Sequence, residues 1–500
     1  MQNFIPSKKK IIAFHFPEEK KKAAYELVVV PFYKDSGGQV CLAAKSVHNF
    51  PEVAEFLSLG DFKGDAKEIA ILFPSDKKIT KRLALVGLGE KERLNSEQLR
   101  DSFAAVIKYA NQKKISSLAG YLPMINVPEE SVIASMVEGM QFANYSFDIY
   151  KAKKASFVTD VELLGAKTKD RAILDKLEAS FEGVNLAKDL VNSCADEITP
   201  EHLAELARQL AKNSSMKLKI LGRKQLEKEK LGLILAVGRA SEREPQLIIL
   251  DYVGSKKKNS EKTVLIGKGV TYDTGGLNLK PTGSMETMRC DMGGAATVFG
   301  IMHALSKLKL PINVTAVIPT VENAIDAKSY KPGDVYTSYN GTSIEISNTD
   351  AEGRLILADA ISYAVKNLSP TRIIDYATLT GAMVVALGEE VTGMMTNEDQ
   401  LAEAFYKAGL ATYERVWRLP IYEEYMEALK SDIADIKNAG DRSGGSITAA
   451  LFLQKFSEKT PWIHFDIAGT AFISKERRYL YKGATGVGVR FTLAYLQNIV

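Results

Sequence analysis

The sequence predicts an α/β protein: a smaller N-terminal α/β domain, a linking helix, and a larger C-terminal α/β domain built on a mixed, largely parallel central sheet. Two observations carry that expectation. Short apolar, β-branched runs alternate with helical patterns along most of the chain, as repeated βαβ units require. One long, charge-rich helical pattern then interrupts the alternation near residue 170. Five hundred residues, 46% hydrophobic and 25% charged, are enough to bury a large core in more than one domain.

In the first third, Leu27 to Pro31, Val40 to Ala44, Ile69 to Phe73 and Arg82 to Val86 read as strands. Ser96 to Lys108 and Ser131 to Ala143 read as helices, and a further strand is expected to end at Thr159. The linking helix spans about 168–192, with apolar residues at Ile173, Leu177, Phe181, Val184 and Ala187. The expected division is 1–167, 168–192 and 193–500. Beyond it, strands are expected at Lys219 to Leu221, Leu247 to Tyr252, Thr263 to Ile266, Asn313 to Ile318, Ser343 to Ile346, Arg372 to Tyr376 and Trp462 to Asp466. Helices are expected at Gly293 to Ser306, Leu355 to Lys366 and Ser446 to Phe456.

Composition excludes several classes. Sixty-five Lys and Arg against 61 Asp and Glu leave +4, too little for a general electrostatic case for nucleic acid or membrane. Cys41, Cys194 and Cys290 are odd in number and scattered, which indicates neither a disulfide framework nor a thiolate zinc site and fits a reducing, cytoplasmic setting. The five histidines stand far apart, with no His-Glu-x-x-His pair. Near the N-terminus, Lys8, Lys9 and Lys10 precede a short apolar stretch that ends at Glu18 and Glu19, so no secretory segment is expected. No uncharged apolar run approaches the ~18 residues of a spanning helix; the longest, Ala377 to Gly388, is broken by glycine.

Some motifs have plain explanations. Gly87-Leu88-Gly89 follows a strand, but Glu92 occupies the third glycine position of a dinucleotide fingerprint, so a strand-to-helix turn is expected. Lys256, Lys257 and Lys258 read as a solvated hairpin tip, and the Glu18 to Lys22 cluster as an exposed face. Neither a phosphate-loop signature nor a Gly-x-Ser-x-Gly elbow occurs.

Chemistry concentrates between Lys268 and Arg354. The strand Thr263 to Ile266 runs into a glycine-rich loop carrying Lys268 and Asp273, at the C-terminal edge where open α/β sheets bind ligands. Asp291 lies before Gly293-Gly294, and Asp350 and Glu352 lie in Asn348-Thr349-Asp350-Ala351-Glu352-Gly353-Arg354-Leu355. Taken singly, Asp291 reads as a helix cap, Asp350 and Glu352 as loop acids, and Lys268 as their partner. Four acids on three loops with so few lysines, if buried together, are costly unless they hold a cation. Oxygen-rich sets suit Mg²⁺, Mn²⁺ or Zn²⁺, and four carboxylates can hold two such ions ~3.5–4 Å apart.

These stretches resemble the leucine aminopeptidase (cytosol aminopeptidase) family. Asn348 to Leu355 reproduces its eight-residue signature, and Gly267 to Gly276 and Met288 to Gly294 resemble its other metal-site segments. The likeness is clear from about Asp189 onward. It implies a two-metal exopeptidase in the C-terminal domain. Lys268, Asp273, Asp291 and Glu352 would bind one ion, and Asp273, Asp350 and Glu352 the other, with Asp273 and Glu352 bridging and Asp350 adding its carbonyl.

By the same resemblance Lys280 is the catalytic lysine, stabilising the oxyanion, and Arg354 the catalytic arginine that holds a bicarbonate. With no histidine in these segments, that anion is a sensible general base. The first side chain of the peptide would meet Met288, Thr378, Leu379, Gly381, Ala468 and Ala471; some members carry methionine where Ala471 stands, so this chain leaves more room. The resemblance further implies peptide substrates and a homo-hexamer. A two-metal phosphoesterase normally adds histidines and is disfavoured, and an inert scaffold conflicts with the intact ligand set. Certain bacterial relatives bind DNA, a role that the weak net charge does not support here.

Overall fold

The computed structural model describes residues 11–17, 19, 24–45, 47–48, 50–257 and 261–499. Lys8 to Lys10, Lys258 and most of the Glu18 to Lys22 cluster lie outside them. The chain forms two compact units: one up to Phe181 together with Lys475–Lys482, the other Glu182–Ser474 with Gly483–Val500. The boundary falls inside the helix Arg171–Asn192, whose second half, from Val184 to Val191, is buried throughout.

In the N-terminal unit the strands are β1 (Ala13–His15), β2 (Leu27–Lys34), β3 (Val40–Leu42), β4 (Ile69–Leu72), β5 (Leu83–Glu90), β6 (Ser117–Tyr121) and β7 (Asp160–Leu164). They form a sheet in the order β1-β7-β6-β2-β5-β4, with β3 added to β2. Four of the pairings are parallel, and β3 and β4 join antiparallel. The helices Ser96–Gln112 and Glu129–Asn144 cover it; the first opens on a capping box from Asn95 to Gln98.

Three local expectations need correction. The strand expected to end at Thr159 begins only at Asp160, because Val158 is held by the side chains of Asn111 and Asn144 rather than by a neighbouring strand. Gly87 and Gly89 lie within β5 instead of a turn. A Cβ on Gly87 would stand 2.1 Å from the carbonyl oxygen of Asp65, so a crossing chain segment, not a ligand, explains that glycine. Lys256 and Lys257 do not tip a hairpin, since the strands on either side of them are separated by a third, β12 below.

In the larger unit the strands are β8 (Lys217–Leu221), β9 (Gln246–Val253), β10 (Lys262–Gly267), β11 (Gly269–Asp273), β12 (Asn313–Asn323), β13 (Val335–Thr337), β14 (Ser343–Glu345), β15 (Arg372–Ala377), β16 (Thr392–Thr396), β17 (Val416–Arg418), β18 (Ile436–Lys437), β19 (Trp462–Asp466) and a short antiparallel pair, β20 (Phe472–Ile473) and β21 (Gly483–Ala484). Nine of them build one sheet in the order β17-β16-β19-β15-β10-β12-β9-β8, with β11 paired to the far end of β12. The centre, β12-β10-β15-β19, is parallel; β9 and β16 run antiparallel to it, β8 pairs antiparallel with β9, and β17 pairs parallel with β16. The central strands are buried on both faces, so Val264-Leu265-Ile266 and Ile373-Ile374 read as continuous apolar runs. The strand expected at Ser343 to Ile346 forms, but in a separate three-stranded sheet, β13-β14-β18.

One buried carboxylate of this core, that of Asp375, is paired through both oxygens. Asp375 on β15 accepts from the Trp462 indole at 2.7 Å and lies 2.5 Å from His464 Nδ1, all three without exposure. Burial opposes a charged imidazole, yet the Asp375 carboxylate holds the His464 pKa above its ordinary value. Asp375→Asn leaves that imidazole without its counter-charge and is expected to cost on the order of 3 kcal/mol in urea denaturation. A cost near zero would show that the pair is dispensable.

Candidate metal centre

Three adjacent parallel strands end at one place. Lys268 follows β10, Thr378 follows β15, and Asp466 closes β19, while β11 carries Asp273 beside Asn323 at the end of β12. Asp291 sits in the 3₁₀ turn Met288–Met292. Its side chain caps nothing; the helix that follows starts at Gly293 without a side-chain cap. Glu352 opens the helix Glu352–Leu368, with Asp350 in the turn before it and Arg354 in the first turn after it.

Lys268 Nζ lies 2.7 Å from Asp291 Oδ1 and 2.9 Å from Glu352 Oε1 and donates to the Thr378 carbonyl at 3.0 Å. Lys280 Nζ lies 2.7 Å from Asp273 Oδ2 and 2.5 Å from Asp350 Oδ1. Carboxylate oxygens of Asp273, Asp350 and Glu352 all fall within 4.8 Å of one another. Asp350 is the exposed member, which opens the cluster on one side. Gly353 is required by this geometry: a Cβ there would stand 2.5 Å from Lys268 Cε. Alanine at 353 therefore displaces the lysine.

Charge is out of balance here. Four carboxylates and two ammonium groups sum to −2, in a site where Lys268, Asp273, Asp291 and Glu352 are buried. Burial, together with the charge of Glu352, pushes the Asp273, Asp291 and Asp350 carboxyls up. Glu352 is held down despite its burial, by Lys268 first and Lys280 next. Both lysines are held above their usual range by these acids, in spite of desolvation. Two buried carboxylate oxygens, Asp291 Oδ2 and Glu352 Oε2, have no hydrogen-bond partner. Unpartnered anionic oxygens facing a net negative cluster fit divalent cations. The residues present therefore suit a metal.

Arg354 is buried. Its Nη1 donates to the Asn438 carbonyl at 2.8 Å, and its Nε has no partner. Desolvation pulls its pKa down to about 10 against the pull of Glu352 and Asp466.

Among the expected pocket residues, Thr378 Oγ1 donates to Asp291 Oδ1 at 2.8 Å. Thr378 and Ala471 flank Gly293, whose Cβ position is 3.2 Å from one and 3.4 Å from the other. Leu379 and Ala468 are brought together because both backbone amides donate to Asp466 Oδ1, at 3.2 and 3.1 Å. Gly381 opens the helix Gly381–Leu387 with open space in front of its Cα, and Met288 starts the 3₁₀ turn, half-buried.

Two residues not singled out from the sequence also shape the site. Asp466 gathers Leu379, Ala468 and the Thr380 hydroxyl, the last at 2.6 Å. Asn323 donates from Nδ2 to Asp273 Oδ1 at 2.8 Å and to the Thr349 carbonyl at 3.1 Å, tying two loops of the cluster together. Both stand at C-terminal strand ends, the one signal that marked them.

Residues 185–493 match the catalytic domain of the cytosol aminopeptidase family, and residues 29–154 match that family's N-terminal domain. The chain belongs to the cytosol aminopeptidase family. Curated relatives include a probable cytosol aminopeptidase of Protochlamydia amoebophila (strain UWE25), 45% identical over 96% of this chain and 97% of that one. Another, from Chlamydia abortus (strain DSM 27085 / S26/3), is 46% identical over 98% and 100%. Among solved structures, the bottromycin maturation enzyme BotP in complex with Mn superposes with a TM-score of 0.84 at 30% identity, covering 95% of this chain and all of that one. The family is one of divalent-metal-dependent aminopeptidases, hydrolases acting on peptides. Among the described residues no helix is long and apolar enough to cross a membrane.

Proposed function

We propose that this chain is a two-metal leucyl aminopeptidase, releasing N-terminal leucine and other apolar residues from peptides. The observation that carries the reading is the buried carboxylate cluster with Asp291 Oδ2 and Glu352 Oε2 left unpartnered. Lys268, Asp273, Asp291 and Glu352 would hold one ion, and Asp273, Asp350 and Glu352 the other. Two divalent ions, Mn²⁺, Zn²⁺ or Mg²⁺, supply Lewis acidity to a water and to the scissile carbonyl when bound.

The chain's own residues do the rest. Lys268 must give up its proton to ligate, since an ammonium has no lone pair to donate. Lys280, more exposed than Lys268, remains an ammonium and stabilises negative charge on the carbonyl oxygen. Arg354 would hold an anion through its free Nε; a bicarbonate there would supply a proton acceptor in a site that has no histidine and whose carboxylates are taken up by the ions. Asp466 orients the pocket wall through Leu379 and Ala468. The family's habit supports a homo-hexamer, and the relatives' names support a cytosolic setting.

Hydrolysis of leucine p-nitroanilide with added Mn²⁺, abolished by EDTA, tests the reading; an inactive Mn²⁺-loaded protein overturns it. The free α-amine should be needed for binding, so an N-acetylated leucyl peptide is expected to react at least ~10²-fold more slowly in kcat/KM, because a site built for a polar group rejects its blocked form strongly. Ala471→Met narrows the space beside Gly293 and Thr378. It is expected to lower kcat/KM for a phenylalanyl substrate relative to a leucyl one by roughly tenfold, measured with the two p-nitroanilides. An unchanged ratio would remove Ala471 from the pocket.

A further inference from the structure

The turn that delivers Asp350 and Glu352 has little regular structure of its own, and one side chain outside it supplies most of the partners its backbone lacks. Asn438 follows β18, which pairs parallel with β14, and this pairing sets residue 438 beside the segment that leaves β14. Its Oδ1 accepts from the amides of Ser347 at 2.8 Å and Asn348 at 3.2 Å. Its Nδ2 donates to the Asn348 carbonyl at 2.7 Å and, more weakly, to that of Ala351 at 3.4 Å. Its own amide donates to the Glu345 carbonyl at 2.9 Å, and its own carbonyl accepts from Arg354 Nη1 at 2.8 Å. The residue has no exposed surface.

We propose that Asn438 is a positioning residue for the reaction: it sets the turn that presents Asp350 and Glu352 and, at the same time, the guanidinium of Arg354. It touches none of the acidic side chains, so it acts through the backbone, the Ser347 hydroxyl, which donates to its Oδ1 at 3.2 Å, and Arg354. A carboxamide suits this place because it both accepts and donates; aspartate accepts only and leucine does neither. Buried backbone groups of an irregular turn must be paired, so loss of Asn438 frees the turn to take other conformations. Groups that orient a metal's ligands affect affinity although they never touch the ion. Because the Arg354 bond comes from the same residue, ligand placement and arginine placement are coupled.

This inference rests on the metal-site assignment above. Asn438→Asp keeps the three accepting bonds, loses the donations and sets a second oxygen against the Asn348 carbonyl. Mn²⁺ affinity, read by calorimetry without substrate, is expected to fall about 10- to 100-fold, with kcat reduced and KM little changed. Asn144→Asp is the control. That residue makes the same kind of buried bond, from Nδ2 to the Val158 carbonyl at 2.8 Å, in the N-terminal unit. It should lower Tm and leave Mn²⁺ affinity unchanged.

Unaltered Mn²⁺ affinity in Asn438→Asp, or an equal loss in Asn144→Asp, overturns the proposal. If the Asn438→Asp protein does not fold, hydrogen exchange of the unmodified protein decides: added Mn²⁺ should slow exchange in 435–440 together with 346–354, and a response confined to 346–354 overturns the coupling. A protein that binds Mn²⁺ but cleaves no peptide would defeat the proposed activity and still leave this clamp to be judged on binding.

Discussion

Glu352→Ala is expected to lower kcat/KM for leucine p-nitroanilide by at least ~10³-fold, about 4 kcal/mol of transition-state stabilisation. The size follows from its position. Glu352 is the first residue of its helix, buried, 2.9 Å from Lys268, and within 4.8 Å of both Asp273 and Asp350 through its carboxylate. In the proposed assignment it serves both ions, so its loss weakens two sites at once. Removing it also leaves Lys268 with Asp291 as its remaining salt-bridge partner among these acids. Bound Mn²⁺ per subunit, measured by elemental analysis after gel filtration, should fall alongside activity. A Glu352→Ala protein with full activity would overturn the assignment.

Lys280→Met should separate catalysis from metal binding. The substitution keeps an unbranched chain, one atom shorter, and removes charge, and kcat is expected to fall about 10²- to 10³-fold while KM changes little, as when one oxyanion donor is lost. Mn²⁺ binding should persist or tighten, because the Lys280 ammonium sits 2.7 Å from Asp273 and 2.5 Å from Asp350 and competes with a cation for them. Calorimetry and steady-state kinetics on the same preparation check both halves. Loss of Mn²⁺ binding in Lys280→Met would instead make the lysine a structural counter-ion.

Much of the site is legible in the sequence because its chemistry is local. Gly267 to Gly276 and Asn348 to Leu355 are short stretches whose residue types already announce a ligand loop and a ligand turn, and the strand before the first is plain from its apolar run. Asn323, Asp466 and Asn438 are not legible. An asparagine or aspartate at a strand end is common, and what distinguishes these three is a partner 26 to 90 residues away. The strand misplaced at Thr159 shows the same limit, since Asn111 and Asn144 take the Val158 amide that a ladder would otherwise use. Gly87-Leu88-Gly89 misleads for a related reason: the need for glycine comes from the chain crossing at Asp65, which no local pattern records.

By itself, the sequence determined the α/β class, the C-terminal-edge placement of the ligand loops and the shortage of imidazole that leaves carboxylates and lysines to do the work. These depend on hydrophobic periodicity and on residue type, both written locally. The tertiary structure alone decided that four acids and two lysines share one cluster summing to −2, buried except at Asp350 and Lys280, that two of its oxygens lack partners, and that one asparagine holds both the acidic turn and Arg354. Those facts arise from strand order. Parallel pairing of β10, β15 and β19 brings together residues about two hundred positions apart, and only their distance and burial convert ordinary acids into a site for cations.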